Sequence, residues 1–210
     1  MIIVPQIHDK DVRKIIKKLN ASHNPAYLDV TPEPDAQVKD CFIVVQEKIK
    51  QFGGRMILGW QIWKNKYLIE AECHAVWEDN DELLNDITPK EFYIDKILFI
   101  EDENLIYQDK QIDNIRLNIT NNKLVDDLIS ICEALFRFDN KGERASLFDL
   151  SKILTEGEIQ HKEYLLKLKD YVNFILSKNG NNNSLCPCQN INKFKDCHGK
   201  DFKKRIQKDI

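Results

Sequence analysis

Two groups of side chains in this 210-residue sequence have types and spacings suited to chemistry. The first is Cys186-x-Cys188, followed after eight residues by Cys197-His198. Three thiolates and one imidazole are the donor set of a tetrahedral structural zinc site, so Zn2+ is the expected cofactor. Four protein ligands leave such an ion no open position for water or substrate, so it holds structure and does not catalyse. A module this short has too little core to fold unaided, and metal would supply the folding energy.

The second group is dispersed: Cys41, His74 and Asp86. Cys41 falls in the first turn of a predicted helix, where unpaired N–H groups favour a thiolate. Asp40 beside it could cap the helix, although its charge opposes a thiolate. In the alternating run IEAECHAVW, one strand face takes Ile69, Ala71, Cys73, Ala75 and Trp77, and the other takes Glu70, Glu72, His74 and Val76. A turn near Asn80 would make a hairpin whose paired positions sum to about 160, which sets His74 across from Asp86, with Cβ atoms roughly 5 Å apart. A carboxylate there would fix one tautomer of the imidazole and stabilise its protonated form. The three residues thus form a candidate nucleophile, base and orienter. Each also has an ordinary reading: a buried cysteine, a histidine on a half-exposed strand, a turn aspartate. Glu70 and Glu72 could bind a metal with His74, but alternate strand positions about 7 Å apart are a stretched arrangement for one ion.

Helical periodicity at residues 9–19 and 38–52, the latter stopping at Gly53-Gly54, predicts two helices around a proline-bearing loop at 23–37. Residues 55–110 are rich in aromatic and branched residues and predict an antiparallel sheet. Residues 122–138, 145–155 and 157–178 predict helices. The expected fold class is therefore α+β, an antiparallel sheet with packed helices and a small C-terminal zinc module. The expected organisation is a body at 1–178, with its Cys-His-Asp core within 36–110 and a helical region at 120–178. A polar stretch, SKNGNNNS at 177–184, would then supply a linker at 179–184 to a metal module with a basic tail at 185–210.

The C-terminal stretch resembles the SEC-C motif, the zinc module that ends the bacterial translocation motor SecA and many otherwise unrelated bacterial proteins. Cys186-Pro187-Cys188, Cys197-His198-Gly199 and the basic run around Phe194 match its pattern, while Gln189-Asn190-Ile191 stands where Gly-Ser-Gly is usual. The resemblance implies an element that docks to a protein or ribosomal partner. The order Cys on a helix, His on a strand, Asp beyond it resembles the papain-like and transglutaminase-like cysteine enzymes. Carried onto this chain, that likeness implies Cys41 as nucleophile, His74 as base and Asp86 as orienter. The stretch from GWQIW through EAECHAVW to DITPK also resembles a group of bacterial and phage proteins of unassigned activity that end in SEC-C motifs.

With 42% hydrophobic and 31% charged residues, the sequence suits a globular protein with a real core. It lacks both an apolar run of about 18 residues and a signal-peptide pattern, so a cytoplasmic protein with reduced thiols is expected. From Cys186 onward seven Lys/Arg face three Asp/Glu, a net +4 in a chain of net −3, which leaves −7 for the remainder. Such a tail suits RNA or an acidic protein surface as partner. Two functions follow: a cysteine amide hydrolase of peptidase or glutamine deamidase type with a docking module, or a non-catalytic adaptor acting through the zinc module and tail. The scattered glycines form no phosphate-binding loop, which disfavours a nucleotide-acting enzyme.

Overall fold

The aromatic and branched runs pair into one antiparallel sheet, and the helical periods gather in two places. The structure, a computed structural model, describes residues 2–21, 23–147, 149–188 and 191–206. Contacts divide the chain into two units, Met1–Gln108 with Asn114–Ile119, and Asp109–Asp113 with Thr120–Ile210.

The first unit carries helices α1 (Lys10–Leu19) and α2 (Cys41–Phe52) and strands β1 (Ala26–Asp29), β2 (Arg55–Lys64), β3 (Leu68–Glu78), β4 (Leu84–Asn85), β5 (Lys96–Glu101) and β6 (Ile115–Asn118). The sheet order is β1-β5-β2-β3-β4, and β6 also pairs with β3. β2 and β3 pair along their length, from Arg55↔Glu78 to Lys64↔Ile69. Their turn is held by the Asn65 carboxamide oxygen, which accepts from Tyr67 N–H at 2.8 Å and Leu68 N–H at 3.0 Å. On the other edge of β3, β6 pairs with residues 68–71 and β4 with residues 77–78. Between them, among the described residues, 72–76 have no strand neighbour on that edge.

Strand alternation sorts two cores. Leu28, Ile57, Val76, Ile97 and Phe99 cluster on one face of the sheet. Ala75 and Ile87 pack against Cys41, Val44 and Val45 of α2, with Met56, Leu58 and Trp77 at the margin. Each fully buried aliphatic side chain contributes roughly 1.5–3 kcal/mol, which fixes α2 on this face. β1 forms inside the stretch expected to be a loop. Its four residues lie between Pro25 and Pro32 and pair only with β5, and an edge strand tolerates prolines at its ends.

The second unit contains α3 (Lys123–Asp139), α4 (Glu156–Ser177) and α5 (His198–Ile206). α3 and α4 pack together and are joined by Lys162–Asp139 at 2.7 Å. The helix expected at 145–155 does not form among the described residues. Gly142–Ser146 make a 3-10 turn, and a capping box between Thr155 and Glu158 starts α4 at Glu156 instead.

The boundary expected after residue 178 is not where the contacts divide the chain: the cysteine cluster falls in the same unit as α3 and α4. α4 ends in a Schellman turn, with Asn179 N–H on Leu176 O at 2.9 Å and Gly180 N–H on Ile175 O at 2.9 Å. A Cβ on Gly180 would lie 2.6 Å from both the Ile175 side chain and Ser184 Oγ, so only glycine fits. Residues 181–184, expected to be an unpacked linker, turn back: Phe194 N–H donates to Ser184 O at 2.8 Å and Lys195 N–H to Asn182 O at 3.1 Å. No helix among the described residues is long and apolar enough to cross a membrane.

Candidate functional site

His74 stands in the unpaired stretch of the β3 edge, and three side chains converge on it from other parts of the first unit. The Cys41 thiol, on the first residue of α2, is close enough to the His74 ring to favour its protonated form. Asp86 Oδ1 lies 3.1 Å from His74 Nε2. Lys90 Nζ lies 3.2 Å from the same nitrogen and 2.6 Å from Asp86 Oδ2. Cys41, His74 and Asp86, far apart in the chain, are therefore neighbours.

The expected hairpin register does not cause this. β4 pairs Trp77 with Asn85 and Glu78 with Leu84, a register that carried on to His74 would set Thr88 opposite. The chain instead leaves β3 after Asn85. Asp86 bridges Val30, and its carbonyl accepts from Thr31 N–H at 2.8 Å. That departure opens the gap beside His74 and turns the Asp86 side chain toward the ring. Gly59 lies directly across from His74 on β2 and presents no side chain. A Cβ there would meet Ile100 O at 2.2 Å, so the close approach of β5 requires glycine.

The site is dry. Cys41 is 5% exposed and Asp86 0%. Burial and the Lys90 charge push the His74 imidazolium down, but the Asp86 carboxylate and the Cys41 thiol outweigh them, raising its pKa to about 9. Burial pulls Asp86 upward, yet His74 and Lys90 together hold it below the usual carboxylate range. Thr88 N–H adds a bond to Asp86 Oδ1 at 3.1 Å. At the start of α2, Asp40 occupies the cap position but makes no side-chain bond to the helix, and Val44 N–H bonds the Asp40 carbonyl at 2.9 Å.

Lys90 and Gln61 complete the arrangement, and neither stood out in the sequence. Gln61 Oε1 accepts from Lys90 Nζ at 3.0 Å. The available signals were a lone amide inside GWQIW and a lysine four residues after Asp86. Cys73, on the strand face opposite His74, is buried, and burial first, then Cys41 and Asp102, push its thiol up to about 12. Glu70 bonds Arg116 at 2.7 Å, while Glu72 accepts from Trp63 Nε1 at 2.6 Å, so neither joins His74 around an ion.

The second unit gathers Cys186, Cys188, Cys197 and His198, and these four could bind a metal. Leu185 bridges Lys193 and Cys186 N–H donates to Asn192 O at 3.0 Å, a small hairpin that sets the first ligand pair. Phe194, within the basic run between the two pairs, lies under the cluster at 1% exposure. Gly199 must be glycine, because a Cβ would sit 2.8 Å from the Phe194 ring. His198 Nδ1 lies 3.3 Å from both Cys186 Sγ and Cys197 Sγ, and Cys188 Sγ lies 3.6 Å from Cys197 Sγ. Metal–sulfur and metal–nitrogen bonds of about 2.3 and 2.05 Å in a tetrahedron give edges of about 3.5–3.8 Å, so the spacing fits one ion. The ring of Tyr171 on α4 meets His198 edge-on at 4.9 Å, fixing the imidazole plane. Gln189 and Asn190, which depart from the SEC-C turn, lie outside the described residues, as does the tail beyond Ile206. A second group, His23, Glu101 and Glu103, is also close enough to share an ion and is more exposed.

Comparison with known proteins gives no matching family model, no matching curated protein and no matching solved structure.

Proposed function

We propose that the first unit is a cysteine-nucleophile amide hydrolase of peptidase or glutamine deamidase type. The observation that carries this reading is that Asp86 bonds one buried imidazole, His74, at a break in the sheet edge, and that the Cys41 thiol lies near enough to bias the same ring. His74, protonated at rest, carries the proton that Cys41 gives up, and Cys41 sulfur attacks the amide carbon. The resulting imidazolium protonates the departing amine as the C–N bond breaks, leaving a thioester on Cys41. Water, deprotonated by His74, then hydrolyses the thioester and frees the thiol. Asp86 balances the imidazolium charge through both proton transfers. The backbone N–H of Cys41, at an uncapped helix start, is the candidate donor for the oxyanion. The likeness to papain-like and transglutaminase-like cores is consistent with a nucleophile on a helix packed against the strand of its base.

The second unit carries the docking function in this proposal. Zn2+ held by Cys186, Cys188, Cys197 and His198 would be structural, since the protein fills all four positions. The SEC-C resemblance supports a protein or ribosomal partner, with RNA contact through the basic tail, in a reducing cytoplasm that keeps the thiolates available.

Iodoacetamide alkylation of Cys41 across pH, with Cys41→Ser as control, tests the catalytic reading. Reaction at pH 7 well above that of an ordinary thiol is expected, together with a mass-detectable thioester from a peptide or glutamine substrate. Alkylation no faster than a free thiol would leave the adaptor reading in its place.

A further inference from the structure

We infer that Lys90 is a positioning residue of this site: its ammonium shares the Asp86 carboxylate with His74 and limits how firmly that carboxylate can hold the ring protonated. The inference rests on the catalytic reading of Cys41, His74 and Asp86, but its evidence is geometric.

Lys90 is fixed on three sides. Its ammonium has three hydrogens and no acceptor, and three groups surround it: Asp86 Oδ2 at 2.6 Å, Gln61 Oε1 at 3.0 Å and His74 Nε2 at 3.2 Å. Its side chain is only 9% exposed. A buried lysine with this surround is not a solvated surface charge.

The contact with His74 makes opposite demands on one atom. Ionised Asp86 only accepts, so it bonds Nε2 when that nitrogen carries a proton. Lys90 only donates, so it bonds Nε2 when that nitrogen is bare. The Asp86 bond leaves Nδ1 of a neutral ring bare to take the thiol proton. The Lys90 bond places the ring proton on Nδ1, where the ring cannot act as a base. Lys90 also occupies the second oxygen of Asp86, so the carboxylate is not devoted to the imidazolium.

Among the described residues, the groups facing the ring can be stated element by element. α2 brings Cys41, the segment after β4 brings Asp86 and Lys90, and β2 brings only uncharged Gln61, through Lys90, and Gly59. Lys90 is thus the one cation beside His74. Its consequence is a general acid that can part with its proton: without it, imidazolium and Asp86 would form a tighter isolated pair, and proton delivery to the leaving amine would slow.

The test follows the His74 ring by NMR titration in a Cys41→Ser background, so that only the ring titrates. Lys90→Met is expected to raise the midpoint by at least about one pH unit, because a unit charge this close outweighs screening. Lys90→Arg should keep it within a few tenths of the parent. Should Lys90→Met fold poorly, Lys90→Gln removes the charge while keeping a donor, and the same rise is expected. An unchanged or lowered midpoint in folded Lys90→Met or Lys90→Gln protein overturns the inference. The ring titration does not depend on Cys41 being reactive, so an inert Cys41 with a shifted ring would defeat the catalytic reading and leave this one standing.

Discussion

Replacing Asp86 by Asn removes the group that decides the charge state of His74. The imidazolium is held up to about 9 against an ordinary 6.5, a net preference of about 3 kcal/mol at 1.36 kcal/mol per unit. Of the influences left after the substitution, the two larger, burial and Lys90, oppose the charged ring, and only the weaker Cys41 thiol favours it. The midpoint should therefore fall below 6.5, and the protonated fraction at pH 7 should drop from about 99% to under about a quarter. The proposed nucleophile then lacks an imidazolium beside it, and alkylation of Cys41 at pH 7 should slow at least about tenfold. The assay is the second-order rate with iodoacetamide from pH 5 to 10, read beside the ring titration. Lys90 is left buried opposite a neutral amide, and breaking such a pair costs roughly 3–5 kcal/mol, so rates count only below the melting temperature of the variant. A ring that still titrates near 9 in folded Asp86→Asn protein would refute the reasoning.

The same shifts set a stability window. His74, raised when folded, contributes stability that is full below pH 6.5 and lost as pH rises through about 9; Asp86, lowered when folded, contributes stability that is full above the ordinary carboxylate range and lost as pH falls. Urea unfolding followed by tryptophan fluorescence should thus show a plateau at pH 5–6.5 and a loss of about 3 kcal/mol by pH 9.5, absent in His74→Gln. All three tryptophans, Trp60, Trp63 and Trp77, lie on β2 and β3, so the probe reads the first unit. For the cluster, one zinc per chain by elemental analysis is expected, and Cys186→Ser or a chelator should lower the helical melting transition while leaving the tryptophan transition in place. Metal-free protein with an unchanged melt would defeat the zinc assignment.

Residue types and alternation were enough to point at Cys41 and His74, because a thiol at a helix start and an imidazole in a regular strand are local features. Asp86 was reached through a hairpin register that the chain does not keep; what brings it to His74 is a bridge to Val30, a long-range pairing with no periodic signature. Lys90 and Gln61 were illegible for the same reason: a buried ammonium looks like any surface lysine until its partners are in place. β1 was hidden by the prolines that bracket it, and the turn at Gly180 by composition, since an asparagine-rich stretch gives no sign that its backbone is fully engaged. The cluster of Cys186, Cys188, Cys197 and His198 was the most legible feature, because the spacing alone marks four groups able to bind one metal.

The gap in the ladder at residues 72–76 has a bearing on solubility as well as chemistry. An unpaired strand edge is a template on which another chain can add a strand and seed aggregation. Here the unpaired stretch is about 16 Å long, five residues at about 3.3 Å each, and it is stopped at both ends by β4 and β6. A foreign strand would have to fit between them and displace a buried ion pair to dock. The break that seats His74 beside Asp86 is thus too short and too well guarded to become a site of edge-to-edge association.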